Sequence, residues 1–293
     1  MVPIMKRILA FTILLLLLLS GCKHTNTQAQ IVATTGPVWE FTNAICQGTN
    51  IQVAQLITES VSCLHDYTLQ SSQVQLLESA DLVIQSGFGL EDFFDDSIKI
   101  ATNVVDASAG ITPICTESHV HHDHTHSHEK DPHIWLSPDN AAIMSKNIYD
   151  ILVKTYPEHK DQFKSNYQAL SNKFSELSNY AETCLSNLAC RNLITFHDGF
   201  SYMADAFNLH ILHSIEEDSG SEASAAQLIS ICQTVTSNHI PAIFIEKNGS
   251  DSAANIIANE TGAKVYTLDM AISGTGYFDA MYHNINTLKE ALE

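Results

Sequence analysis

The chain has 293 residues, 45% of them hydrophobic, with 14 Lys and Arg against 33 Asp and Glu, a formal charge of −19. At roughly 150 residues per domain this is enough chain for about two domains with real cores, and the apolar fraction excludes a chain disordered throughout. So acidic a surface repels phosphate backbones and excludes nucleic acid as a natural partner. The 15 histidines are many for this length, and neutral imidazole is the commonest metal ligand among side chains.

Residues Met1–Gly21 read as an export signal. Lys6 and Arg7 form a positive start, and Ile8–Leu19 is an apolar run of twelve with only Thr12 polar. A membrane-spanning helix needs about 20 apolar residues, so the run is short for a span. Leu19-Ser20-Gly21-Cys22 resembles a bacterial lipobox, which implies cleavage before Cys22 and lipid on its sulfur. Residues 22–30 then form a polar tether. Export permits disulfides among the six remaining cysteines, and the short separation of Cys184 and Cys190 makes that pair the one sequence-based pairing expected.

Beyond the tether, short apolar strands alternate with helix-period segments. Strands are expected at Ile31–Thr34, Ile51–Leu56, Leu82–Gln85 and Asn103–Val105, with helices at Val38–Cys46, Ser72–Ser79 and Phe93–Ile100. Such alternation predicts βα units around a parallel sheet. Ala107–Pro132 breaks the pattern and reads as a long loop, either functional or disordered. Helical sequence resumes at Ser137-Pro138-Asp139, and Pro157 starts a second helix. Phe163, Tyr167, Leu170, Phe174, Leu177 and Ala181 then follow a three-four spacing, one amphipathic helix of about seven turns.

A second alternation follows, with strands at Leu193–Phe196, His210–His213, Ala242–Glu246 and Lys264–Leu268. Its helices are expected at Phe200–Phe207, Glu222–Ser237, Ser252–Thr261 and Tyr277–Leu292. The fold class is therefore α/β: two lobes with parallel sheets flanked by helices, joined by one long helix. The divisions are a signal peptide over 1–21, a tether over 22–30, a first lobe over 31–156 that contains a histidine-rich loop at 117–129, a linking helix over 157–187 and a second lobe over 188–293.

Parallel α/β sheets bind ligands at the carboxyl ends of their strands. His197 directly follows a strand in FHDGF, His65 sits in the loop CLHDYTL, His133 lies in DPHIWLSP before the linker, and Asp269 ends the last strand in TLDM. Three imidazoles and a carboxylate suit Zn²⁺, which takes four N, S or O ligands. Any one of these histidines alone would more often be a satisfied, hydrogen-bonded side chain. The constellation points to a metal.

The runs IVATTGPVWEF, HDY, ADLVIQSGFGLEDF, DPHIWLSPDNA, FHDGFSYMADAFNL and GAKVYTLDM resemble, in order and spacing over about residues 30–293, the zinc/manganese substrate-binding proteins of bacterial ABC importers, the ZnuA/TroA-type family. The resemblance implies a lobe–helix–lobe fold with a metal site in the cleft, and His65, His133, His197 and Asp269 as ligands. It also implies a protein held outside the cell membrane by lipid on Cys22 that delivers Zn²⁺, or alternatively Mn²⁺, to permease subunits. The chain departs from the family around Cys63-Leu64-His65, where a proline usually precedes the histidine. Cys63 is then a minor candidate ligand, and Glu59, Glu246 or water compete with Asp269 for the fourth position.

His119, His121, His122, His124, His126 and His128 crowd six imidazoles into ten residues, with Glu117, Asp123 and Glu129 adding oxygens. Such a tract gathers Zn²⁺ without a preformed cage, at lower affinity than the cleft; read blandly, it is a solvated low-complexity loop. Its presence and His197 favour zinc, because Mn²⁺ suits harder, oxygen-rich sites. A zinc hydrolase is the competing class, since three histidines and an open position also describe catalytic zinc. HExxH does not occur, His128 to His133 is one residue too long for it, and Glu216-Glu217-Asp218 reads as a solvated loop. The chain is therefore expected not to be an enzyme. A surface adhesin is the third reading, and no sequence feature marks one.

Overall fold

The computed structural model describes residues 29–59, 67–92, 98, 101, 103–115, 130–215, 223–247, 249–272 and 274–293. The signal segment, Cys22, Cys63, His65, the six-histidine tract, Glu216-Glu217-Asp218 and nearly all of the helix expected at Phe93–Ile100 lie outside the described residues.

The first lobe runs β1 (Ile31–Ala33), α1 (Gly36–Cys46), β2 (Val53–Gln55), α2 (Ser71–Ser79), β3 (Leu82–Gln85) and β4 (Val104–Asp106). Its four strands are all parallel in the order β2-β1-β3-β4. The central strand β1 is fully buried, which explains its unbroken apolar sequence: helices cover both faces of a parallel sheet. Pro37 sits in the first turn of α1, where its missing N–H costs nothing.

A 3₁₀ turn at Ile134–Leu136 leads into α3 (Pro138–Thr155), whose first turn is capped by Ser137 Oγ accepting from Asn140 N. Pro157–His159 forms a second 3₁₀ turn, and α4 (Lys160–Leu185) follows, 26 residues long. Its buried stripe is Phe163, Leu170, Phe174, Leu177, Ala181 and Leu185, while Tyr167 stacks on Tyr149 at 4.8 Å.

The second lobe repeats the first in plan: β5 (Asn192–Thr195), α5 (Ser201–Ala206), β6 (His210–Ser214), α6 (Ala225–Ser237), β7 (Ala242–Glu246), α7 (Ser252–Thr261), β8 (Lys264–Leu268) and α8 (Tyr277–Leu292). Its order is β6-β5-β7-β8, again parallel. The helix expected from Glu222 begins at Ala225, because Ser224 and Gln227 form a reciprocal capping box there. Cys184 and Cys190 are free thiols, which corrects the disulfide expectation: Ala189 N and Cys190 N both bond Leu292 O, drawing this connection to the end of α8. No helix among the described residues is long and apolar enough to cross a membrane.

One buried cluster runs through both lobes, and a second, with Ile194, Ile231, Ile243 and Ile257, lies within the second lobe. Phe174 of α4 meets Phe41 of α1 at 5.2 Å and Tyr277 and Phe278 of α8 at 5.9 and 5.1 Å. Hydrogen bonds cross between lobes as well: Gly36 N donates to Ile272 O (2.8 Å), Trp135 Nε1 to Met270 O (2.8 Å) and Tyr277 OH to Trp135 O (3.0 Å). Glu40 of α1 accepts from Tyr277 N at 2.5 Å, a carboxylate at the N-terminus of α8, where the helix dipole favours negative charge. Buried, well-partnered contacts of this kind make wide hinge opening costly.

Candidate metal centre

In each sheet the chain runs outward on one side of the first strand and then on the other, so the strand order reverses between β1 and β3 and between β5 and β7. Ligand crevices form outside the carboxyl ends of strands at such points. His197 stands two residues past β5, and Glu246 closes β7. Both are buried, at 8% and 3% exposure, and His197 Nδ1 lies against Glu246 Oε1.

His133 reaches the same place from the first lobe. It is 3% exposed, and its ring centroid is 5.6 Å from that of His197, nearly perpendicular. Asp131 holds it: Oδ1 accepts both the His133 backbone N–H at 2.9 Å and ring Nδ1 at 2.8 Å. An ionised carboxylate only accepts, so the proton belongs on Nδ1 and the lone pair on Nε2. Glu246 stands against Nδ1 of His197 in the corresponding place. A carboxylate behind each imidazole is the usual support of metal-ligating histidine, fixing the ring and raising its basicity.

Gly199 makes room for this arrangement. A Cβ there would stand 2.6 Å from His197 Cε1, 2.7 Å from Nε2 and 2.8 Å from Met270 Cε. Asp198, next to His197, has its carboxyl pushed above the usual range by burial and then by the nearby charge of Asp131, a measure of how dry and acidic this end of the cleft is.

Asp269 is buried and rigidly set. Its backbone N donates to Asn284 Oδ1 at 2.8 Å, its carbonyl accepts from Asn284 Nδ2 at 2.7 Å, and Oδ1 accepts from Ala271 N at 2.9 Å. Oδ2 faces Lys247 Nζ at 2.9 Å. Glu59 is engaged elsewhere, accepting from Tyr67 OH at 2.6 Å, Gln70 Nε2 at 3.2 Å and Gln73 Nε2 at 3.4 Å. The Tyr67 bond chiefly holds its carboxyl below the ordinary range. These bonds join Glu59 to residues 67–73. Among the described residues no group of three or more His, Cys, Asp or Glu gathers as a cage; the pair that comes together is His133 and His197, with Asp131 and Glu246 behind them.

Sequence reading missed the supporting role of Asp131 and took Glu246 only as a rival ligand. The spacing D-P-H was a usable signal, since Asp131 bonds both the backbone and the ring of the residue two positions on. Lys247 gave no signal, because its partner lies 22 residues away.

A family model described as ZnuA, zinc-uptake complex component A periplasmic, matches residues 31–291. The chain belongs to this family. The zinc-binding lipoprotein AdcA of Streptococcus pneumoniae is 29% identical over 96% of this chain. The chain spans 59% of the length of that relative. A Treponema pallidum protein is 26% identical, with 93% of this chain and 89% of its own length aligned. Among solved structures, a crystal structure of ZnuA superposes with a TM-score of 0.79 at 25% identity, covering 89% of this chain and 98% of that one. The two-lobe α/β fold with a long helix is thus the family's fold, as expected from the strand–helix alternation, and the ZnuA and AdcA relatives are binding proteins rather than enzymes.

Proposed function

We propose that this chain is an extracytoplasmic zinc-binding protein that hands Zn²⁺ to the permease of an ABC importer, tethered by lipid on Cys22. The observation that carries the reading is the pair His133 and His197, from opposite lobes, buried, 5.6 Å apart between ring centroids and each with Nδ1 against a buried carboxylate. His65 completes three nitrogen donors, and Asp269 supplies the fourth ligand. Nitrogen-rich donor sets favour Zn²⁺ over Mn²⁺, and the zinc-binding AdcA relatives support the same choice. The histidine tract collects ions at lower affinity and passes them to the cleft.

Each lobe contributes ligands, so the ion couples them. The shared core and the Trp135, Tyr277 and Gly36 bonds oppose wide opening, and release therefore needs force from the permease on the ligand loops rather than spontaneous hinge motion. With divisions at 156/157 and 187/188, α4 is the element that links the two lobes and packs against a helix of each.

The test is competitive metal loading. Stripped protein offered equal Zn²⁺ and Mn²⁺ takes up one tightly held zinc, and His133→Ala or His197→Ala lowers its affinity by about a hundredfold or more. Unchanged zinc affinity in both variants contradicts the site; a manganese preference contradicts the specificity while keeping the transport role.

A further inference from the structure

Lys247 and Asp269 follow paired residues at the ends of β7 and β8. The parallel register matches Glu246 with Leu268, so the next residue of each strand projects over the same end of the sheet. Lys247 N donates to Leu268 O at 2.8 Å, which anchors its backbone there. Its Nζ bonds Asp269 Oδ2 at 2.9 Å and Thr275 Oγ1 at 2.6 Å.

The two partners are unequally held. The Asp269 side chain is 9% exposed and that of Lys247 is 48% exposed. Asn284 grips both backbone groups of Asp269, and Ala271 N takes Oδ1. Oδ2 is the carboxylate oxygen left for a cation. The ammonium ends a flexible four-carbon stem with solvent beside it, so it can leave at small cost, whereas the carboxylate cannot turn away without breaking buried bonds.

We propose that Lys247 is a built-in competitor for the metal at Asp269, an ammonium that occupies the carboxylate's outer oxygen and must be displaced when a divalent cation takes it. The inference rests on the proposed metal reading with Asp269 as fourth ligand. An ammonium bonded to Oδ2 offsets the charge that the carboxylate would offer a metal, and the two cations repel each other at that oxygen, so the lysine opposes metal entry. The lysine thus lowers the net affinity of the cleft without touching a histidine, which favours handing the ion on. Its departure also frees Thr275 Oγ1.

The experiment compares zinc affinity in the full chain, Lys247→Met, Lys247→Arg, Asp269→Asn and the Lys247→Met/Asp269→Asn double variant, with His197→Ala as control. In parallel, the rate of amine acetylation at Lys247 is read by peptide mass spectrometry with and without Zn²⁺. Lys247→Met binds zinc up to about fivefold more tightly, the upper end of what an ion pair with a half-exposed lysine is worth. Lys247→Arg shows no gain, the gain vanishes in the Asp269→Asn background, and zinc speeds acetylation of Lys247 in the unaltered chain. Equal affinity in Lys247→Met, with acetylation indifferent to zinc while His197→Ala still loses the ion, overturns the competitor and leaves the cleft reading standing. Zinc retained by His197→Ala overturns both.

Discussion

The two lobes place opposite chemistry at the same topological position. Between β1 and β3 of the first lobe stands Glu91, 2% exposed, accepting from Thr34 Oγ1 at 2.7 Å, Ser86 N at 2.8 Å and Gly87 N at 3.1 Å. Between β5 and β7 of the second stands Glu246, equally buried, facing the imidazole of His197. Glu91 is consumed by its own lobe: it ties the end of β1 to a turn in which Gly87, Phe88 and Gly89 all have positive φ, of 101°, 55° and 85°. That is a conformation non-glycine residues rarely adopt, and the carboxylate holds Phe88 in it. Glu246 instead meets a side chain with a second nitrogen to offer. A switch point makes room for a ligand, and the residue type that enters the room decides whether it is filled by structure or left for chemistry.

The largest expected effect that tests this contrast is on the stability of the first lobe. Burial, partly opposed by its three hydrogen bonds, pushes the Glu91 carboxyl up from 4.5 to about 7. A carboxyl whose folded value exceeds its unfolded one binds protons more tightly when folded. Its stabilising contribution is therefore full below about 4.5 and is lost as pH rises towards 7. The swing is of the order of 3 kcal/mol. Denaturant midpoints of Glu91→Gln across pH 4.5 to 8 should show this fall flattened relative to the unaltered chain; an unchanged profile would mean Glu91 is not the group responsible.

A smaller effect is expected at the second lobe's switch point. Gly199→Ala puts a methyl into the space of the His197 ring, so zinc affinity should drop about tenfold while circular dichroism and melting stay near those of the unaltered chain. Unaltered affinity would show that the ring position relative to Gly199 does not matter to the ion.

Much of this was legible along the chain. The strands Leu82–Gln85, Ala242–Glu246 and Lys264–Leu268 and the helices Ser252–Thr261 and Tyr277–Leu292 match their expected bounds, because apolar runs and punctuation agree there. Gly262 at φ 80°, for example, ends α7 in the left-handed form. The second expected strand shrank to Val53–Gln55, since the pairing of Ile31 with Val53 sets where the ladder begins, and pairing is not written in local sequence. The same holds for the cleft. His133 and His197 stood out by type and by strand-end position, but the carboxylates behind them and the Lys247–Asp269 pair arise from register and inter-lobe packing. A near neighbour in sequence, such as Cys184 to Cys190, was conversely a poor guide to contact, because α8 draws the connection away.

The most direct test of the central claim, that the cleft and not the histidine tract is the tight site, is metal content after deleting residues 117–129, followed by zinc X-ray absorption on the retained ion. The account predicts one zinc per chain with imidazole and carboxylate neighbours and no thiolate. A chain that holds no zinc once the tract is gone would contradict it.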